Sequence, residues 1–432
     1  MADVSIGNNQ GWVVIGAGDR AVTSEPSLTG TTVALQGAGA SAVGLTFDTA
    51  APNPGYGETC IRVYAYDAIS VLDCHSTAAV ANPGSLDRVG FIYSDGATNL
   101  RIYDCSTGPL GESIPYDHSC YLNGVAQSGT WYIEGCDFRD NAGAPVHAYS
   151  QNSSGTIRNS FMGGDAWGGV AWGSGTSITA EYCDIFDQGS RQEGGYTSRA
   201  GLHGASGGVC YYRNCTFYDN YADLLGNTSA LTAGPAKVTG LTVTPGAGAN
   251  HLSWTNPTLG TFDSIIVRRH AGQGAISEST DVNGFPRWST SGTLVYSGTA
   301  SSFTDTGLSD GTTYYYSVIT EDAGQVSPRV TGTGTPASSG GVQQFIAAAV
   351  AASSSVDATA SVIKRATANV QGISDAQVQA MLTHAAELHV IAQSGVDIKA
   401  HLLKTYAGRP FDPDGWVPLW GPRSSRYHYR DR

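Results

Sequence analysis

The feature that most constrains this chain is a motif that returns about every 30 residues, within the range of periods that solenoid repeats show. The stretches "VLDCHS", "RIYDCS", "YIEGCDF", "AEYCDIF" and "YRNCTFYDN" each set a cysteine behind a small or turn-prone residue. Aligned with "VGLTFD" and "IRNSFM", they make Leu45, Cys74, Cys105, Cys136, Ser160, Cys183 and Cys215 equivalent. The spacing is uneven, shortest on either side of Ser160 and longer elsewhere. A variable period around a constant core is what a solenoid with loops of unequal length produces. The aligned position and the one two residues later are small or apolar, as in Cys136 and Phe138, Cys183 and Ile185, and Cys215 and Phe217. Period two is a strand with one buried face.

The residues just before the aligned positions are Gly44, Asp73, Asp104, Gly135, Asn159, Tyr182 and Asn214. Six of these seven are Gly, Asn or Asp, which tolerate left-handed backbone. Strand, one-residue bend, strand, loop and third strand describe one coil of a right-handed parallel β-helix, with coils stacked about 4.8 Å apart. The cysteines are then an internal stack of small hydrophobic groups, expected to be reduced and buried. No C-x-x-C pair is present, so neither a metal nor a cofactor is expected. Cys60, Cys120 and Cys210 fall outside the stack, and no disulfide is assigned.

Composition fits. The chain has 432 residues, 56 of them Gly, and only 14% are charged, which suits a turn-rich β protein. Net charge is −13 with no basic run before the extreme C-terminus, so a nucleic-acid partner is not expected. The N-terminus lacks the pattern of a secretory signal, and no uninterrupted apolar run is long enough to span a bilayer. A chain made in the cytoplasm, without membrane insertion, is expected.

On "IRNSF" and "YRNCTFYDN", residues from about 30 to 225 resemble the pectate-lyase-like β-helix superfamily. That superfamily holds polysaccharide lyases, glycosidases, epimerases, phage tailspikes and non-catalytic proteins, so the resemblance implies fold and leaves activity open. Residues 31–228 are assigned to this β-helix, after an N-terminal segment at 1–30. Residues 235–336 are similar to a fibronectin type III domain, through Leu308, Gly311, Tyr314, Tyr316 and Val318, with Tyr314 as corner tyrosine and Trp254 as buried tryptophan. That likeness implies a β-sandwich, most simply a spacer. In residues 342–432 a capping box at Ser374 and Gln377 precedes a helical stripe of Val378, Met381, Leu382, Ala385 and Leu388. These Ala-rich helices are too small to stand alone and are expected to serve oligomerisation or attachment, ahead of a tail rich in aromatics and Arg.

One residue after each aligned position, alternation turns the side chain outward: Thr46, His75, Ser106, Asp137, Phe161, Asp184 and Thr216. Asp137 and Asp184 are then two coils apart, about 9.6 Å on regular stacking, with Phe161 between. Carboxylates at such a separation are the pattern of an inverting glycosidase, and these two are the catalytic candidates. Phe161, Trp167, Trp172 and His203 are the glycan-binding candidates. His118 and His147 join His203 as strand histidines able to act as general acids. Asp140, Asp165, Asp187 and Asp219 are read as turn residues. A lyase needs a carboxylate cluster beside an Arg or Lys base. Arg139 and Arg158 are available, yet no carboxylate trio converges on either.

The combination resembles a bacteriophage virion protein, a tail or head spike or fibre made in the host cytoplasm. That resemblance implies a homo-oligomer, a trimer by preference, joined to other virion proteins and facing host surface polysaccharide. Binding without cleavage is favoured, because neither Asp has in its neighbouring sequence the apolar enclosure that a proton-donating acid needs. The alternatives are a polysaccharide lyase or glycoside hydrolase and a non-catalytic bacterial adhesin.

Overall fold

All seven residues before the aligned positions adopt left-handed backbone, with φ of 66° at Gly44, 51° at Asp73, 54° at Asp104, 68° at Gly135, 47° at Asn159, 53° at Tyr182 and 51° at Asn214. The computed structural model describes residues 2–48, 59–77, 90–108, 118–123, 129–139, 143–150, 152–164, 167–188, 199–273 and 276–337. Around these bends the chain builds three parallel sheets of ten, nine and seven strands. Each coil gives one strand to the nine-stranded sheet (sheet two), crosses to the ten-stranded sheet (sheet one), bends, and adds a short strand to the seven-stranded sheet (sheet three). His118–Asn123, Gly129–Glu134 and Asp137–Arg139 form one such coil. This is the arrangement of a parallel β-helix. No α-helix occurs among the described residues. Asp3–Ile6 and Gly11–Ile15 already pair in sheets one and two, so the segment 1–30 is part of the stack and not a separate lead-in.

Rows of identical register fill the interior. Val71, Ile102, Ile133, Ile157 and Ala180 follow one another in sheet one, all buried. Phe138, Met162 and Ile185 do the same in sheet three. Each large apolar side chain so buried contributes about 1.5–3 kcal/mol. Close stacking also dictates composition: a Cβ at Gly155 would lie 2.1 Å from the Trp131 carbonyl oxygen, so only glycine fits there.

The aligned cysteines have a second task. Cys74, Cys105, Cys136, Cys183 and Cys215 each donate to the carbonyl oxygen two residues back, at 3.3 to 3.5 Å. Ser160 does so at 2.8 Å through its hydroxyl. Each of these carbonyls already accepts the bend amide of the preceding coil, as Tyr103 does from Asp73 at 2.9 Å, so the side chain that follows the bend supplies its second hydrogen bond. All eight cysteines are free thiols. Cys215 departs from expectation, being only partly buried. Its coil carries Thr216–Tyr218, the edge strand of sheet three, which has no neighbour on its far side among the described residues.

A sandwich of two antiparallel sheets follows. Thr239–Gly246, Ala249–Thr255 and Ser302–Thr306 form one sheet. Thr293–Gly298, Ser264–Ala271, Tyr314–Asp322, Gln325–Val326 and Val330–Gly334 form the other. Leu252, Trp254, Ile265, Val267, Tyr316 and Val318 fill the space between. The Tyr314 hydroxyl accepts from the Ser309 amide at 3.0 Å, pinning the corner between strands.

The sandwich does not stand off from the coil as a spacer would. It lies on the outer face of sheet one, where Tyr103, Glu134, Arg158, Glu181 and Arg213 follow one another in register, the last four alternating in charge. Arg158 pairs with Glu181 at 3.2 Å and donates to the Val326 carbonyl, while Arg213 donates to Gln325 at 2.6 Å. Arg287 grips Asp104 at 2.6 Å with no side-chain exposure, and its guanidinium sits 4.5 Å from the Tyr103 ring. Met1–Ser339 accordingly forms one compact unit. The helical region expected at 342–432 lies outside the described residues.

Candidate functional site: the outer faces of sheets two and three

Sheet three carries the candidate carboxylates in continuous register. Thr46, His75, Ser106, Asp137, Phe161, Asp184 and Thr216 follow one another strand by strand. Phe161 is 46% exposed, a large apolar ring presented to solvent between two acids. The acids are not equivalent. Arg139, two residues along the same strand, holds Asp137 through two guanidinium nitrogens and also sits 5.9 Å from the Phe161 ring. Asp184 is half-buried and has no side-chain hydrogen-bond partner among the described residues, leaving its oxygens open to a ligand hydroxyl.

A parallel row lies two residues further on: Arg139, Gly163, Phe186 and Tyr218. Gly163 clears the floor, since a Cβ there would come within 2.4 Å of the Phe186 ring. Phe186 can therefore lie flat, and Tyr218 stacks on it with centroids 5.0 Å apart and planes at 4°. Desolvation and then the Asp184 and Asp219 carboxylates push the Tyr218 phenol above its ordinary value, so its hydroxyl stays a donor at neutral pH. Sequence reasoning missed Phe186 and Tyr218. They stand three residues after aligned positions, and the alternation that exposes the first residue after each aligned position exposes the third as well.

Trp167, Trp172 and His203 do not join this face. They belong to sheet two or its loops, so the glycan-binding candidates divide between two surfaces. In sheet two, Arg62, Tyr93, Tyr121, His147, Val170 and His203 form one outward row, and Asp95, Asn123, Tyr149 and Trp172 the next. Tyr93 stacks on Tyr121 at 4.9 Å, and Tyr121 meets Tyr149 at 5.5 Å. Trp172 and Tyr149 are both exposed. Trp167 is buried and packs with Ala144 and Val170, so it is a wall and not a stacking platform.

The histidines are held by this packing. The Ala144 amide donates to His118 Nδ1 at 2.8 Å, which places the His118 proton on Nε2. Nε2 in turn donates to His147 Nδ1 at 3.1 Å. His118 is 1% exposed, too deep for contact with a polymer. His203 is 9% exposed, and burial lowers its pKa, which favours the neutral ring over the proton donor. Asp187 and Asp219 have left-handed backbone, φ 48° and 55°, as turn residues do. Asp140 and Asp165 lie outside the described residues. Among the described residues no group of three or more His, Cys, Asp or Glu is placed to hold a metal ion.

No protein-family model matches the chain, and no curated protein matches its sequence. Among solved structures it is similar to full-length tailspike protein 2 from Escherichia coli O157:H7 bacteriophage CAB120, at 10% identity and a TM-score of 0.19. That alignment takes in 76% of this chain and 59% of the tailspike, so the chain spans less than two thirds of that protein's length.

Proposed function

We propose that this chain is a bacteriophage virion spike or fibre whose β-helix binds a host surface glycan along sheet three without rapid cleavage. The observation that carries the reading is Phe161, exposed and set in register between Asp137 and Asp184, beside the Phe186 and Tyr218 stack. Exposed rings supply faces for the C–H side of a sugar, and Asp184, Arg139 and the Tyr218 hydroxyl supply acceptors and donors for its rim. Strand spacing repeats this chemistry about every 4.8 Å along the coil axis. An extended polymer suits such a surface better than a compact ligand.

Cleavage would need one acid to hold a proton and the other to activate water. Asp137 is engaged by Arg139, which leaves Asp184 without a matching partner. The sandwich is read as a fibronectin type III module, supported by the buried Trp254 and the Tyr314 corner. A right-handed coil follows from the general handedness of parallel crossovers. A trimer joined to the particle through residues 342–432 completes the proposal. The test is to incubate the full chain with capsule or lipopolysaccharide from a susceptible host and measure retention together with new reducing ends or unsaturated products. Retention without products is expected. Products abolished by Asp137→Asn or Asp184→Asn would replace binding with hydrolysis, and absence of retention on any susceptible host's polysaccharide would end the reading.

A further inference from the structure

A cleft opens between the outer face of sheet one and the sandwich loop, lined by Arg101, Tyr103, Tyr132, Glu278, Trp288 and Thr290 among others, with a volume of about 610 Å³. We infer that this cleft is a separate binding site for a neutral sugar, one or two rings in size. It is distinct from the sheet-three face and does not depend on it.

Size comes first: small-molecule sites span roughly 300–1,000 Å³, and this cleft falls within that range. Its floor is aromatic. Trp288 meets Tyr103 at 5.6 Å and Tyr132 at 5.3 Å, and the two tyrosines lie 6.0 Å apart, each pair edge to face. The Trp288 indole N–H donates to the Glu278 carbonyl at 2.8 Å, and the Ser291 hydroxyl accepts from the Trp288 amide at 3.2 Å, so the ring is fixed before any ligand arrives. Pre-set aromatic surface costs little ordering on binding.

Charge decides the ligand class. Arg101 is paired with Glu278, which also accepts from Ser70, so the cleft presents donors and acceptors without net charge. An anionic sugar would meet a guanidinium already neutralised by Glu278 and repulsion from that carboxylate, whereas a neutral polyol can bond to the remaining donors and acceptors of the pair and to Ser279 and Thr290, both exposed at the rim. Aromatic floor, neutral ion pair and hydroxyl rim together are the chemistry that a neutral pyranose satisfies.

The experiment is saturation-transfer NMR on the full chain with lactose, cellobiose and N,N′-diacetylchitobiose as neutral probes and glucuronate as charged control. Transfer to at least one neutral probe is expected, lost in Thr290→Arg, which fills the mouth from an exposed position, and lost in Trp288→Leu. Phe161→Ala should leave it intact, and loss in that variant would assign the signal to the sheet-three face and overturn the inference. No transfer to any neutral probe, transfer undiminished in Thr290→Arg, or transfer to glucuronate alone would also overturn it.

Discussion

Arg287→Ala is the perturbation that asks whether the sandwich and the coil are one cooperative body. Arg287 has no exposed side-chain surface, donates to both Asp104 oxygens at 3.3 and 2.6 Å, and stands over Tyr103. Asp104 is also the left-handed bend of its coil and only 15% exposed. Removing the guanidinium leaves a largely buried carboxylate without its partner, a loss of about 3–5 kcal/mol. Denaturant unfolding should therefore show one transition in the wild type and two in Arg287→Ala, as the sandwich parts from the coil first. Asp104→Asn keeps a residue that tolerates left-handed backbone, so the double-mutant cycle isolates the pair. Its coupling should exceed about 1 kcal/mol, as contacting residues commonly show. A loss below about 1 kcal/mol in Arg287→Ala, the scale of exposed ion pairs, would mean that the interface is wet and the docking argument wrong.

Native alkylation should label Cys215 first. It is the one partly exposed thiol, and the neighbouring Cys183 thiol lowers its pKa, whereas burial pushes Cys74, Cys105 and Cys183 up. Fast labelling of Cys74, Cys105, Cys136 or Cys183 before unfolding would contradict the buried stack. Glu134 is buried, and burial raises its pKa despite Arg329, Arg158 and Arg287 nearby. The folded state then binds this proton more tightly than the unfolded chain. Its contribution is most favourable below the unfolded value and declines as pH rises through the folded one. Glu134→Gln should accordingly gain on the wild type in melting temperature as pH rises from 4.5 toward neutrality. A pH-independent difference would refute that sign.

The coil is legible because it repeats. Gly, Asn and Asp at the bends align the strands, and Tyr182, the one residue that breaks the pattern, still takes φ 53°. Its ring lies 4.9 Å from the Arg158 guanidinium and its hydroxyl donates to the Pro235 carbonyl at 3.0 Å, contacts an Asn could not make. The row of Asp137, Phe161 and Asp184 is equally readable, since alternation within a strand is local. What stays hidden depends on reach and on distant contacts. Arg139 captures Asp137 through side-chain reach within one strand, and the docking of Arg287 on Asp104 joins positions 183 apart. The separation of Trp172 from Phe161 also requires the coil's cross-section, because residues near in sequence fall on different sheets whenever a bend intervenes.

The most direct test of the central claim is the affinity of the intact chain for oligosaccharides released from a susceptible host's capsule or lipopolysaccharide, compared with Phe161→Ala. Phe161 is exposed and belongs to no core cluster, so its removal should leave folding unchanged. The account predicts that calorimetry will show binding by the wild type and a drop of about tenfold in the variant, roughly 1.4 kcal/mol. Equal affinity for wild type and Phe161→Ala would contradict it.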